Sequence, residues 1–249
     1  MPTPINKIHQ LYKLKSNRLD SNANSDIPPA FIDLLLWESL NEYVDIFYSG
    51  SDKQLKLGFE TTQQRLDLIK DFIVTYPEQP TIIPATINTN YYGLIVNNFN
   101  FSNLLYKYKH FVRGTVVDSC NNRYKIDKIQ QDDLDYKLND THQRPSVKWQ
   151  RVVSTINKNQ LQVYSELQLT GLELSYVKVP NKPFYGGYNT LEYLAGDTLA
   201  PSSSSAKIDV ELDDAYSNIL TDLMVINTSS YIGDYNKSQE IRNKFQLNN

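Results

Sequence analysis

The stretch FVRGTVVDSCNNRYKID, residues 111–127, decides the fold. Phe111 to Asp118 is rich in β-branched residues, which fit a pleated, half-buried surface. Arg123-Tyr124-Lys125-Ile126-Asp127 alternates polar with apolar, the two-residue period of a strand with one wet face. Ser119-Cys120-Asn121-Asn122 between them is turn chemistry, so the two runs read as a hairpin. Arg151 to Ile156 and Leu161 to Tyr164 repeat the arrangement around Asn157-Lys158-Asn159-Gln160. Leu172, Leu174 and Tyr176 share a face opposite Glu173 and Ser175. From Thr81 to about Val179 the chain therefore reads as an antiparallel β unit of five to seven strands, a small sandwich or barrel.

Helical spacing flanks this unit on both sides, which makes the fold class α+β. Pro28-Pro29 follows Ser25 and Asp26, a helix-start signal. Ile32, Leu35, Leu36, Leu40, Tyr43 and Phe47 then recur at three- and four-residue steps. A second helix is expected from Thr61, where Thr61 and Gln64 have capping-box spacing, with Leu66, Ile69, Phe72, Ile73 and Tyr76 as its apolar face and Pro77 as its stop. A third runs from about Asp213 to Tyr231, with Leu212, Tyr216, Ile219, Leu220, Leu223 and Ile226 as its buried stripe. Residues 1–26 lack sustained periodicity and are expected to form a flexible arm, with room for a short turn of helix around Ile8 to Leu14. One α+β domain is expected over 27–233, made of a helical pair (30–76), the β unit (81–180), a loop (181–208) and a helix (212–231). Asp197 to Lys207, with Pro201 and the serine run, reads as an extended or disordered loop, and 234–249 as a polar tail.

Charge and composition narrow the function. The net charge of −3 argues against a protein that grips nucleic acid over a broad surface, which needs concentrated Lys and Arg. No apolar run approaches the roughly 18 residues of a membrane span. Met1 to Gln10 lacks the apolar block of a secretion signal. Cys120 is the single cysteine, so no intrachain disulfide forms, and its turn setting reads as a bystander thiol.

The motifs that carry catalysis are missing. No G-x-S-x-G, phosphate-binding glycine loop, dinucleotide fingerprint or H-E-x-x-H occurs. His9, His110 and His142 lie far apart without a carboxylate or cysteine at ligand spacing, and read as surface or hairpin-edge imidazoles. Asp132-Asp133-Leu134-Asp135 lacks the glycine and the regular spacing of a calcium loop and reads as a solvated connection. No enzyme activity, metal or cofactor is expected. Gly186-Gly187 reads as a turn, and the aromatics around it, Phe184, Tyr185 and Tyr188, are the expected subunit-interface residues, because they have no obvious core to join.

Three blocks, in order, resemble a known family. The first joins Ile32-Asp33-Leu34-Leu35-Leu36 to Gly58-Phe59-Glu60-Thr61-Thr62-Gln63-Gln64-Arg65-Leu66-Asp67-Leu68-Ile69. The second ends the β unit in Leu172-Glu173-Leu174-Ser175-Tyr176-Val177-Lys178-Val179-Pro180-Asn181-Lys182-Pro183. The third is Ile208-Asp209-Val210-Glu211-Leu212 leading into the last helix. Together they resemble the neck ring, or head-to-tail connector, proteins of crAss-like tailed bacteriophages, over about Ile27 to Gly233.

The resemblance implies a non-enzymatic virion protein, assembled in the host cytoplasm, that links portal to tail and lines the DNA conduit. It implies copies of the chain in a closed heterologous ring, twelve by the symmetry usual for portal-bound rings. The implied partners are the portal protein, adjacent ring or tail proteins, and genomic DNA passing without sequence recognition. No membrane contact is implied. A tail-hub or adaptor protein of the same virion is the alternative, and a glycan-binding module built on the tyrosine-rich turns is a further one.

Overall fold

The six apolar residues spaced from Ile32 to Phe47 are all buried along one helix, α2 (Pro29–Ser49), which opens on a proline where no N–H partner is needed. The structure, a computed structural model, describes residues 2–19, 29–49, 66–81, 88–91, 93–186 and 207–232. The expected helix start at Thr61, the loop from Asp197 (apart from Lys207) and the tail from Asp234 fall outside them. The chain divides into two compact units where one domain is expected over 27–233. One unit combines Met1–Phe72 with Pro180–Asn249, and the other is Ile73–Val179.

The first unit corrects the expectation of a flexible N-terminal arm. Pro2–Thr3 forms a short strand, β1, and Ile5–Leu19 a helix, α1. Ile5, Ile8 and Tyr12, at steps of three and four, are buried, while Lys7 and Lys15 reach outward to Asp214 (2.6 Å) and Asp222 (2.8 Å). The last described helix, α4 (Ser217–Ile232), starts later than expected, because Leu212 lies on a strand and Asp214–Tyr216 is a 3-10 turn. It packs against both α1 and α2 and encloses Met224 and Val225 with Leu220, Leu223 and Ile226. Polar ties cross these contacts. Tyr12 Oη lies 2.8 Å from Thr228 Oγ1, and Asn227 Nδ2 donates to Ser39 Oγ at 3.1 Å and to Glu42 Oε2 at 2.9 Å. Ahead of α4, β10 (Val210–Asp213) pairs antiparallel with β1, and Thr3 Oγ1 donates to the Leu212 carbonyl at 2.7 Å.

Among the described residues the second unit forms one eight-stranded sheet. Its strands are β2 (Ile73–Thr81), β3 (Asn88–Tyr91), β4 (Leu94–Asn100), β5 (Tyr108–Asp118), β6 (Arg123–Lys128), β7 (Arg151–Asn157), β8 (Gln160–Ser165) and β9 (Leu169–Lys178), in the order β2-β9-β5-β6-β7-β8-β4-β3. Both expected hairpins, β5–β6 and β7–β8, form. Two expectations fail. Ile73 to Tyr76 do not continue a helix: residues 66–68 are helical, Lys70–Phe72 is a 3-10 turn, and β2 follows. As an edge strand β2 tolerates Pro77 and Pro80, which a central ladder would not. The sheet is also not wholly antiparallel, because β6 and β7 run parallel from Lys125↔Arg151 to Lys128↔Ser154.

The connection between those parallel strands explains the acidic cluster. Asp132 and Asp133 belong to a 3-10 turn, and Leu134–Asn139 is a short helix, α3, rather than a plain loop. Leu134 and Leu138 are buried with Val96, Val153 and Tyr164 on one face of the sheet. The opposite face curls over the larger core, in which Phe99, Val116, Ile126, Val163, Leu172 and Tyr176 meet.

Candidate interaction surfaces

The expected interface turn is built into the first unit. Phe184 is 2% exposed and its backbone pairs with Ile208 in both directions, at 3.1 and 2.9 Å. It therefore has a core to join, which corrects the premise on which it is expected at an interface. Tyr185 is half-buried: its ring stacks on His9 at 4.4 Å between centroids, and Lys207 Nζ stands 4.6 Å from its centroid. Gly186 takes φ +88°, a backbone region that glycine enters at little cost. Tyr188 falls outside the described residues.

His9 is likewise not at the surface. It is buried on α1, with Nε2 2.7 Å from Oδ1 of the buried Asp33 on α2. Asp33 Oδ2 accepts the Tyr185 N–H at 2.8 Å. One carboxylate thus ties three segments that are distant in sequence: α1, α2 and the chain leaving the β unit. Sequence spacing hides this pair, because 24 residues and a change of helix separate the partners. Among the described residues no three His, Cys, Asp or Glu side chains come together to hold a metal ion.

Unlike apolar groups stand exposed at the two ends of the β unit. β5 and β9 run antiparallel from Tyr108↔Lys178 to Asp118↔Leu169. Leu105 and Tyr106 precede β5 at one end; Leu105 is 77% exposed, and Lys178 Nζ lies 4.5 Å from the Tyr106 centroid. At the other end stand Leu167, before β9, and Val147 and Trp149, before β7. The Val147 N–H donates to Glu166 Oε2 at 2.9 Å, which holds these two loops together, and Trp149 is 70% exposed. The ten residues of β9 separate the two groups by about 30 Å at ordinary strand rise. Exposed tryptophan and tyrosine are the side chains most enriched where proteins meet.

The hairpin turn beside the second group is ordered by Asp118. Its Oδ1 accepts the N–H groups of Cys120 (2.8 Å) and Asn122 (2.9 Å), and its Oδ2 accepts from Asn122 Nδ2 and the Tyr124 hydroxyl. The Asn122 side chain, with the Asn122 and Cys120 N–H groups and the Tyr124 hydroxyl, holds this carboxyl below its usual range against the opposing effect of burial. Asn121 takes φ 63°, a conformation asparagine tolerates. Cys120 is exposed on this turn.

Searches of protein-family models and of curated proteins find no match to the chain. Among the described residues no helix is long and apolar enough to cross a membrane.

Proposed function

We propose that this chain is a structural subunit of a phage head-to-tail connector, a ring-forming protein without catalytic activity that joins portal to tail around the DNA conduit. The observation that carries the reading is the pair of unlike apolar groups at opposite ends of the β unit, Leu105 with Tyr106 before β5, and Leu167 before β9 with Val147 and Trp149 before β7. A closed ring of identical subunits needs two different faces, each complementary to the other, so that every contact is heterologous and the rotation closes. Two exposed apolar groups at opposite ends of the β unit support that arrangement. The three sequence blocks that resemble neck ring proteins of crAss-like phages support the virion neck as the location.

On this reading the partners are other copies of the chain, twelve in a portal-matched ring, together with the portal protein and the next ring or tail protein. DNA passes through without sequence recognition. The deciding experiment is a symmetry-resolved electron-microscopy map of the particle that carries this chain. Density for the chain in a closed ring between portal and tail is expected; its absence from the neck would overturn the reading.

A further inference from the structure

β5 and β6 pair over only three residues, from Thr115↔Lys125 to Val117↔Arg123. Yet β5 continues along β9 back to Tyr108, and β6 continues along β7 to Lys128. The sheet therefore parts on the side of Phe111 to Gly114, and a cleft of about 300 Å³ opens between the two strands. Gly114 sits at its narrow end, where a Cβ would stand 2.7 Å from Ile126 Cδ1. The cleft is thus set by strand register and by a glycine that lets two strands approach before they diverge.

Its lining is strongly cationic in a chain whose net charge is −3. Arg113 comes from β5, Lys125 and Lys128 from β6, Arg151 from β7 and Lys137 from α3, so four elements converge on one opening. Asp127 is the one carboxylate among the described lining residues, and it accepts from Arg151 Nε at 3.1 Å. That bond orients the guanidinium and leaves its two terminal nitrogens outside it. Arg113, Lys125 and Lys137 have no ion-pair partner among the described residues. Several like charges held together repel one another, and an anion among them relieves that repulsion. A single carboxylate would answer one of them. A phosphate group carries more charge and more acceptor oxygens, and suits a guanidinium fork flanked by lysines.

We propose that the β5–β6 cleft is a phosphate-binding site, with Arg113, Lys125, Lys137 and Arg151 as its ligands and Asp127 as the residue that positions Arg151. The ligand is a phosphate group, free, on a nucleotide or in a nucleic-acid backbone. The site is independent of the connector reading, since it rests on charge and strand register rather than on apolar exposure.

The test uses the full chain at low ionic strength with four probes: inorganic phosphate, a nucleoside triphosphate, a short oligothymidylate and oligoglutamate. Saturable binding of at least one phosphate probe is expected, weakened about tenfold or more in the double variant K125Q/K137Q as two charge-assisted contacts are lost. Binding of the oligothymidylate, with a salt slope that falls by about one per lysine removed, assigns the nucleic-acid backbone. Binding of the small phosphates alone assigns a free or nucleotide ligand. R113Q, on the opposite wall, gives the same readout should the double variant fail to fold. The proposal is overturned if no phosphate probe binds, if the variants leave binding unchanged, or if oligoglutamate binds more tightly than every phosphate probe.

Discussion

The ring of Tyr76 lies 6.0 Å from the ring of Phe99, although their strands stand first and seventh in the sheet order. Contact between side chains so far apart along the ladder requires the sheet to curl nearly onto itself, the handed twist of adjacent strands adding up across the order. A flat sheet would hold these strands about six interstrand spacings apart, each near 4.8 Å. The curl is what encloses the large apolar core, with Phe99, Phe101, Tyr108 and Tyr176 forming a chain of ring contacts inside it.

That contact is measurable. Tyr76→Leu, Phe99→Leu and the double variant, compared by urea denaturation, should show a coupling of about 0.5–1.5 kcal/mol, the range for aromatic pairs at this separation. Strict additivity would mean that the two sides of the sheet do not meet in solution.

Assembly through unlike faces makes a prediction that a two-fold interface does not. Leu105→Asp and Trp149→Asp should each abolish rings, since each removes one of the two faces. Mixed in equal amounts, the two variants should form pairs, because one intact face of each kind remains, but no closed ring. Mass measurement in solution reads this directly, and full rings in the mixture would exclude the arrangement.

Asp33→Ala should destabilise the first unit more than a surface change would. It strips a partner from buried His9 and from the Tyr185 N–H at once. Each buried group left without its partner costs about 1–3 kcal/mol. A melting temperature within a degree or two of the parent would show that the three segments are tied by other means.

Alkaline pH should unfold the first unit through Tyr43. Burial, with the neighbouring Tyr216 and Asp71, raises its pKa well above the ordinary 10.0. The folded state thus keeps the phenol proton at pH values where the unfolded chain has lost it. The stability that depends on this proton is fully present below about pH 10 and declines as pH rises above that value. Tyr43→Phe should reduce the alkaline loss. At neutral pH it should cost only about 0.5–1.5 kcal/mol, for the hydrogen bond from Tyr43 Oη to the Leu68 carbonyl. Equal alkaline sensitivity of parent and variant would assign the effect to another group.

What the sequence displayed, it displayed locally. The β5–β6 and β7–β8 hairpins and the face shared by Leu172, Leu174 and Tyr176 were legible because turn chemistry and a two-residue period act between neighbours. The α1 helix was obscured because only Ile5, Ile8 and Tyr12 mark its buried face amid lysines that serve as outward ion pairs. Residues 69–76 satisfied two periods at once. Ile69, Phe72, Ile73 and Tyr76 fit helical steps, while Ile73 to Tyr76 fits the strand that pairs with β9. Only that tertiary pairing decides between them. The cationic cleft drew its residues from four elements and was invisible for the same reason. That Phe184 has a core to join was hidden because its partner strand position, Ile208, lies far along the chain.

The pairing of β1 with β10 gives the molecule a timetable. Ile73–Val179 contains every strand of the large sheet, so that unit can complete its ladders as soon as Val179 has cleared the ribosome. The first unit cannot, because Thr3 waits for Val210 and Leu212, and Tyr12 waits for Thr228. Although α1 and α2 are synthesised before the sheet, they become enclosed after it, several seconds later at ordinary elongation rates. Until then their apolar faces are open to whatever chaperone or sister chain is near. Residues 2–19 therefore stay open until residues 210–232 have been made.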